Sequence, residues 1–252
     1  MAPMDLNADL GESFGSWTLG DDEGLVAHIS SANVACGFHA GDFRVMEATV
    51  RLCASVGVAV GAQPGYPDLL GFGRRPMHFA PDEVTSMVRY QVGALEAFCR
   101  AAGVELRHVK PHGALYNQAA ADPELAAAIA RATAGFSRDL VLFGLASSEP
   151  MASAAADAGL RFVPEAFADR RYMPDGSLQS RSEPGSLITD ADAAAQQAAR
   201  IASDDTVTAV DGSEVTLRAE SICCHGDTPG AVAITAAVRA ALEASGVTIG
   251  PP

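Results

Sequence analysis

Three histidines of this chain stand in equivalent settings, each just after a short apolar run and beside glycine. They are His39, His112 and His225, and each has another ionisable or hydroxyl side chain within four residues. A lone histidine is more often structural, but three in equivalent positions favour acid–base chemistry or metal binding. The other histidines lack this setting and are interpreted as surface or structural groups: His28, His78 and His108.

The only lysine of the chain lies in one of the same clusters. Of seventeen basic side chains sixteen are arginine, and the exception is Lys110, two residues before His112. A composition drift toward arginine explains the sixteen but not the retention of this one. An ammonium is a compact charge whose pKa can move, and a guanidinium cannot replace it in proton transfer. We therefore predict that Lys110 is functional.

Carboxylates accompany these basic groups. Asp9 and Glu12 precede no obvious helix, so we assign them to function. Asp42 and Asp227 each precede a predicted helix, where a carboxylate can also serve as a cap for free backbone amides. For these two residues both interpretations stay open.

A further charged cluster, with Glu165 and Asp169, leads into a stretch rich in proline, glycine and serine. More than a dozen residues without obvious structure inside a compact domain usually form a lid or a binding loop. We predict such a loop over 165–188, with a plain surface loop as the alternative.

Absent motifs narrow the chemistry. Lys110 is followed by proline, which excludes a Walker A loop, and the chain has no G-x-S-x-G, no H-E-x-x-H and no Rossmann fingerprint after its first strand. What remains is acid–base chemistry by lysine, histidine and carboxylates. A divalent metal held by Asp9, His39 and His112 is the alternative left open.

Short apolar runs alternate with helical stretches, and this pattern positions the candidate residues. Strands are predicted over 4–8, 31–35, 58–61, 106–110, 140–143, 161–164 and 219–224, with a short strand pair within 206–218. Helices are predicted over 43–56, 81–102, 115–134, 149–158, 190–203 and 228–245, and a short one begins at Asp21-Asp22-Glu23. Strands that alternate with helices of ten or more residues are typical of a parallel sheet. Seven or eight such units predict an α/β fold, a closed or nearly closed barrel formed by one domain over 1–252.

Composition excludes several classes of partner. The formal net charge of −14 argues against nucleic acid and anionic membranes, since either would need a basic face. We find neither a stretch of about twenty apolar residues nor a basic segment followed by an apolar one at the amino terminus. The five cysteines contain no C-x-x-C pair and are interpreted as reduced thiols, so we expect a cytoplasmic protein. Alanine-rich helix faces are compatible with core packing or with a homo-oligomer.

Six ordered motifs resemble the LamB/YcsF family over nearly the whole chain. They are DLNADLGESFG (5–15), ANVACGFHAGD (32–42), GAQPGYPDLLGFGRR (61–75), VKPHGALYN (109–117), EAFADRRY (165–172) and CHGDTP (224–229). One departure is visible, because Gln63 stands where many members have histidine. Gln63 can form hydrogen bonds, but it is not expected to act as a base or a metal ligand.

The resemblance implies an irregular TIM-like β/α barrel, similar to the glycoside hydrolase/deacetylase superfamily. It also implies the A component of an ATP-dependent 5-oxoprolinase, which acts with subunits B and C to open 5-oxoproline to L-glutamate. The missing P-loop agrees with an ATP site that lies on the partner subunits or is shared with them.

The resemblance also suggests roles for individual residues. The expected catalytic groups are Asp9, His39, Lys110, His112, Glu165, Asp169 and His225. The expected substrate-binding groups are Asn7, Glu12, Asp42, Gln63, Tyr66, Arg74, Tyr116, Asn117, Arg170 and Asp227. Asp9, His39 or His112 would activate water, and Lys110 with Arg74 or Arg170 would neutralise the oxyanion and phosphate. Two alternatives stay open: a metal-dependent amide or N-acetyl hydrolase, and a non-catalytic binding subunit.

Overall fold

A computed structural model describes residues 3–252. Seven parallel strands close into a barrel in chain order, and the last strand pairs with both the sixth and the first. The strands are β1 (Asp5–Leu10), β2 (Ser31–Ala35), β3 (Ala59–Gln63), β4 (Leu106–Val109), β5 (Val141–Leu145), β6 (Arg161–Phe167), the hairpin strands β7 (Thr206–Thr208) and β8 (Glu214–Thr216), and the closing barrel strand β9 (Ser221–Cys224). The predicted barrel is confirmed, with seven strands.

The helices also follow the predicted pattern. They are α1 (Asp22–Val26), α2 (Phe43–Val56), α3 (Pro81–Ala102), α4 (Gly113–Ala119), α5 (Pro123–Ala134), α6 (Glu149–Ala158), α7 (Ala191–Asp204) and α8 (Ala231–Ala244). Local signals fix several ends: the Asp42 carboxylate accepts from the Arg44 and Val45 amides at the start of α2, and Pro81 is the first residue of α3. Among the described residues, no helix combines the length and the apolar character needed to cross a membrane.

Most predicted strand and helix ends lie within two residues of the observed ones, but two ends were wrong by three residues. The last helix begins at Ala231 rather than 228, because Gly230 adopts a left-handed conformation with φ of 80° just before it. Strand β6 continues to Phe167, so residues 165–167 belong to the barrel and not to the predicted loop. Pro164 lies inside this strand and its carbonyl still accepts a hydrogen bond from the Glu220 amide.

Polar side chains fill much of the barrel interior. In β1 the polar residues alternate with the apolar ones, as Asp5, Asn7 and Asp9 do with Leu6, Ala8 and Leu10. Lys110, directly after β4, contacts Asn7 of β1 and Glu165 of β6. Because β4 pairs with neither of those strands, these contacts cross the interior. Barrels of this type usually pack branched apolar side chains there, so the polar filling departs from the usual pattern.

The main hydrophobic core lies outside the strands, between the barrel and its helices, and includes fully buried Leu6, Leu10 and Val34. A small separate cluster of Val141, Phe143 and Val163 lies beside His108, whose ring stacks on Phe143 with centroids 4.4 Å apart. A side chain at Gly61 of β3 would overlap the His108 ring, so this strand position requires glycine.

Residues 168–188 form a cover segment over the mouth of the barrel. Its two arms are held together by bridges between Tyr172 and Leu178 and between Arg170 and Leu187. The segment is also tied to the end of β6, because the Tyr172 hydroxyl oxygen accepts a hydrogen bond from the Phe167 amide at 2.7 Å. These contacts fix the segment in place above the carboxyl ends of the strands.

Candidate active site

Lys110 is the centre of a buried charged network at the barrel mouth. Its Nζ lies 2.8 Å from Glu165 Oε1 and 3.4 Å from Asp9 Oδ1, and it donates to Asn7 Oδ1 at 3.1 Å and Cys223 Sγ at 3.0 Å. Burial by itself would lower the pKa of Lys110, but the charge of Asp9 and the other neighbouring groups raise it well above its usual range. Lys110 is therefore a fixed, charged ammonium.

The carboxylates of this network are held by further donors. Asn7 Nδ2 and the Tyr116 hydroxyl donate to the two oxygens of Glu165, each at 2.8 Å. Asn33 Nδ2 donates to Asp9 Oδ1 at 3.0 Å. Burial is the largest single effect and would raise the pKa of Asp9. Lys110, the nearby histidines and the Asn33 hydrogen bond together outweigh it and lower the pKa below its usual range. These hydrogen bonds hold the two carboxyl groups in a fixed arrangement around Lys110.

A second acid–base pair lies beside this network. His225 Nδ1 is 2.9 Å from Asp169 Oδ1, and the same carboxylate accepts from the His225 backbone amide at 3.0 Å. Against the effect of burial, contact with His225 lowers the pKa of Asp169. The carboxylate fixes the orientation of the imidazole and leaves Nε2 of His225 as the nitrogen available to the cavity.

A second part of the mouth contains His39 and His112, whose rings stack face to face. Their ring centroids are 3.8 Å apart and the planes differ by 5°. Gly73, with φ of +65°, passes so close that a side chain there would meet His39 Cβ at 2.8 Å and His112 Cδ2 at 3.0 Å. His112 Nε2 donates to the Phe72 carbonyl oxygen at 2.9 Å, which leaves Nδ1 as the unprotonated nitrogen. A neutral imidazole with a free lone pair can act as a base or a ligand.

Several polar atoms around these rings lack partners. Within residues 3–252, no hydrogen-bond partner is present for either ring nitrogen of His39, for Glu12 Oε1 or for the side-chain amide atoms of Gln63. Burial lowers the pKa of His112 to about 3 and that of His39 well below its usual range, and it raises that of Glu12 well above. Buried polar groups are normally hydrogen-bonded, so we expect a ligand, a water molecule or an ion to supply the partners of this cluster.

The two sides share one cavity of about 880 Å³ beneath the cover segment. Predicted residues that line it are Asp9, Gln63, Arg74, Lys110, His112, Tyr116, Asn117, Arg170 and His225. Arg74 forms an ion pair with Asp227 at 2.6 Å, so Asp227 is a partner of this arginine and does not cap α8. The structure thus brings most of the predicted groups to one mouth.

Two predicted substrate-binding residues lie elsewhere. Asp42 caps α2 and also accepts from the Gly15 amide at 2.7 Å, so the capping interpretation describes its contacts. Tyr66 is fully buried and packs against Phe79, with ring centroids 5.7 Å apart, and does not line the described cavity. Their substrate-binding roles stay predictions without a contact that supports them.

Sequence reasoning missed several polar residues inside the barrel. His108, interpreted as surface or structural, is fully buried, and its Nε2 lies 2.8 Å from Asn33 Oδ1. Asn33, Ser221 and Cys223 all bond directly to predicted site residues. The alternation of polar and apolar residues within the strands was the signal that could have found them, since one face of a strand points into the barrel. Arg181 of the cover segment also lines the cavity and was not predicted.

Two groups of buried side chains could hold a metal ion. Among the described residues these are Asp9, Cys223 and His225, and separately Glu12, His39 and His112, with the potential ligand atoms of each group within 4.8 Å of one another. Imidazole and carboxylate donors suit zinc and similar divalent ions. The unpartnered atoms of Glu12 and His39 favour the second group. The predicted set of Asp9, His39 and His112 stays a prediction, and the structure divides its members between the two groups.

The chain is similar to known proteins along nearly its whole length. The LamB/YcsF family model matches residues 4–252. The chain is 54% identical to the A subunit of 5-oxoprolinase from Chloroflexus aggregans over 100% of both proteins, and 50% identical to the protein of the same name from Thermococcus onnurineus over 98% of this chain and 97% of that protein. Its fold matches the crystal structure of the lactam utilization protein from Thermus thermophilus with a TM-score of 0.92 at 48% identity, covering 99% of each chain.

Proposed function

The chain belongs to the LamB/YcsF family, and from this premise we propose that it is the A component of an ATP-dependent 5-oxoprolinase. The complex would open the lactam ring of 5-oxoproline to give L-glutamate. The observation that carries this proposal is the buried, charged Lys110 between Asp9 and Glu165 at the cavity, in a chain that matches the A components of 5-oxoprolinases along their full length.

The chemistry of a lactam explains why such a site would need ATP. An amide is stabilised by resonance and water opens it only slowly near neutral pH. Transfer of the terminal phosphoryl group to the amide oxygen makes the ring carbon electrophilic. Water can then add to that carbon, and protonation of the ring nitrogen allows the C–N bond to break. A second water releases phosphate from the resulting acyl phosphate, so that ATP and two waters are consumed.

The geometry suggests which residues serve these steps. Lys110 is fixed as an ammonium and would stabilise negative charge on the former amide oxygen. His112, neutral and with Nδ1 free, would take the proton from water, with His39 stacked against it. His225, oriented by Asp169, is the candidate donor to the ring nitrogen. Arg74 and Arg170 would face the anionic groups of the ligand.

We expect ATP to bind to the assembled complex and not to this chain by itself. The chain has no Walker A sequence, so the ATP site would lie on subunits B and C or be shared with them. The names of the relatives, which designate one subunit of an enzyme, support an assembly with other subunits. We expect this assembly in the cytoplasm, in agreement with five cysteines that form no disulfide in the described structure.

The first test is a reconstitution. Glutamate formation and 5-oxoproline-dependent ATP hydrolysis are measured for this chain alone, for the partner subunits alone and for all three together. Activity only in the full mixture, and its loss with Lys110→Ala or His112→Ala, is the expected result. Full activity with both variants would reduce this chain to a non-catalytic binding component.

A metal-dependent amide hydrolase is the second candidate, favoured by the unpartnered atoms of Glu12 and His39. Glu12, His39 and His112 would hold the ion, which when bound would polarise a carbonyl and lower the pKa of water. The test is elemental analysis of the purified protein, followed by assays with a chelator. Turnover of an amide by this chain alone without ATP, abolished by the chelator, would favour this candidate over the first.

A further inference from the structure

Arg170 carries a buried positive charge without a counter-ion. The residue is only 4% exposed, yet among residues 3–252 its guanidinium forms no ion pair with a carboxylate. Its Nη2 donates to the Gln179 carbonyl oxygen at 2.6 Å, while Nε has no acceptor within the described chain. An unpaired buried charge is costly, so natural sites normally supply a partner.

Arg181 adds a second guanidinium to the same place. It lies in the cover segment two residues after Gln179, and it lines the cavity together with Arg170. In the described part of the chain it makes neither a hydrogen bond nor an ion pair. Burial and the positive charge of Arg181 lower the pKa of Arg170 to about 10. Two cations that repel each other therefore face one cavity.

The surrounding charges do not neutralise this pair directly. The nearby Asp169 carboxylate is occupied by His225. Asp227 is occupied by Arg74. Two guanidinium groups that have no carboxylate partner among the described residues, in a chain of net charge −14, indicate a ligand that is itself an anion. The planar guanidinium fork matches a carboxylate or a phosphoryl group with two parallel hydrogen bonds.

We propose that Arg170 and Arg181 form an anion subsite that binds the carboxylate of the lactam substrate. This inference rests on the proposed function, because 5-oxoproline carries a carboxylate on the carbon beside its ring nitrogen. Lys110 lies at the mouth of the barrel itself, where the amide would react, whereas the arginine pair belongs to the cover segment. The ligand would thus be held at both of its polar ends, with its carboxylate bound to the cover segment.

The test separates the carboxylate from the phosphoryl group. In the reconstituted complex, kcat and KM for 5-oxoproline are measured for Arg181→Gln, Arg181→Lys and the wild type. The inhibition constant of 2-pyrrolidinone, the same lactam ring without a carboxylate, is measured alongside. Loss of a charged hydrogen bond predicts a rise in KM of about 10- to 100-fold for Arg181→Gln, partial recovery with Arg181→Lys, and an unchanged inhibition constant for 2-pyrrolidinone.

Arg171→Gln is the matched control, because this exposed arginine belongs to the same segment and its side chain bonds only to the Gly185 carbonyl oxygen. It is expected to leave KM unchanged. Three results would overturn the proposal: equal weakening of both lactams by Arg181→Gln, a fall in kcat at constant KM, which would indicate the phosphoryl group, or no change at all.

Calorimetry distinguishes failure of this inference from failure of the proposed function. If the wild-type complex shows no 5-oxoproline-dependent turnover, the function fails irrespective of the arginines. Titration of the full-length chain with 5-oxoproline and with 2-pyrrolidinone then tests the subsite by itself. Tighter binding of 5-oxoproline that Arg181→Gln removes supports the subsite, and equal affinity of the two lactams for the wild type contradicts it.

Discussion

The two sides of the barrel mouth treat buried polar groups in opposite ways. Around Lys110 the charged groups all have partners, and the ammonium contacts two carboxylates, an amide oxygen and a thiol. Around the stacked His39 and His112, several equally buried atoms have no partner among the described residues.

This difference indicates a division of labour. A satisfied network holds its charges in one geometry before any ligand arrives, as electrostatic stabilisation of a transition state requires. An unsatisfied cluster costs stability and is retained where a ligand, water or ion completes it. The Lys110 side is therefore the fixed part of the site, and the imidazole side is the part that its ligand completes.

Substitution of Lys110, whose charged neighbours all have partners, should have the largest effect on stability and turnover. Lys110→Met leaves Asp9 and Glu165 buried without their counter-charge, which we expect to lower the free energy of unfolding by about 3–5 kcal/mol. Lactam turnover should fall at least about 100-fold. Urea unfolding and the reconstituted assay measure the two effects.

The control for this variant is an exposed ion pair. Arg51 is 71% exposed and pairs with Glu47, so Arg51→Met should change the unfolding free energy by less than about 1 kcal/mol. Equal destabilisation by the two variants would mean that the Lys110 network is not a strongly coupled unit.

The stacked histidines should affect how the free energy of unfolding depends on pH. The folded protein keeps His112 neutral down to a pKa of about 3, whereas the unfolded chain takes up the proton near pH 6.5. The stability that this group contributes is thus complete above about pH 6.5 and is lost progressively as the pH falls toward 3. His112→Gln should flatten the slope between pH 4 and 6 by about 1.4 kcal/mol per pH unit.

Chemical denaturation at a series of pH values gives this slope directly. His78→Gln is the control, since His78 is exposed and lies outside the cavity. Parallel stability curves for wild type and His112→Gln would show that His112 is not held neutral.

Two buried glutamines allow a direct comparison of a side-chain amide without partners and one with partners. Gln63 has no side-chain partner in the described structure, so Gln63→Leu should raise the free energy of unfolding by about 1 kcal/mol while it reduces turnover. Gln91 is equally buried but bonds to both the amide and the carbonyl of Gly65. Gln91→Leu should therefore destabilise by about 1–3 kcal/mol.

Thermal unfolding of both variants, followed by circular dichroism, decides the point. A loss of stability in Gln63→Leu as large as in Gln91→Leu would show that the Gln63 amide is satisfied in solution, and the contrast between the two sides would then be weaker.

The smallest effect is expected at Cys223. Its Sγ accepts from Lys110, and a serine hydroxyl can accept the same hydrogen bond. Cys223→Ser should cost less than about 1 kcal/mol and reduce turnover only a few-fold. Cys223→Val, which removes the acceptor, should cost more, and urea unfolding of the pair gives the difference. Identical values for the two variants would remove Cys223 from the network.

Much of this fold could be predicted because its signals are local. Apolar runs of strand length, Asp42 and Pro81 at helix starts, and Gly103 at a helix end each act over a few residues. The strand order follows from short βα connections. The boundaries that failed, at Phe167 and Ala231, depend on pairing with distant strands and on one glycine conformation.

The candidate site could be predicted only in part. His112, Lys110 and His225 follow strand ends, and the barrel necessarily brings such positions to one mouth. The partners that determine what these groups can do come from residues far away in sequence. The Asp9–Lys110 contact spans 101 residues and the Lys110–Cys223 contact spans 113. No local pattern specifies such a pair.

The sequence by itself determined the barrel, the lone lysine and the family motifs, because residue types, periodicity and turn signals depend only on residues that are close together in the chain. Only the tertiary structure decided that Lys110 is fully paired, that His39 stacks on His112, and that Arg170 and Arg181 have no counter-ion within residues 3–252. These properties depend on burial and on distances of a few ångströms between separate strands. The free energy of a buried charge is set by those surroundings, and they exist only once the barrel has closed.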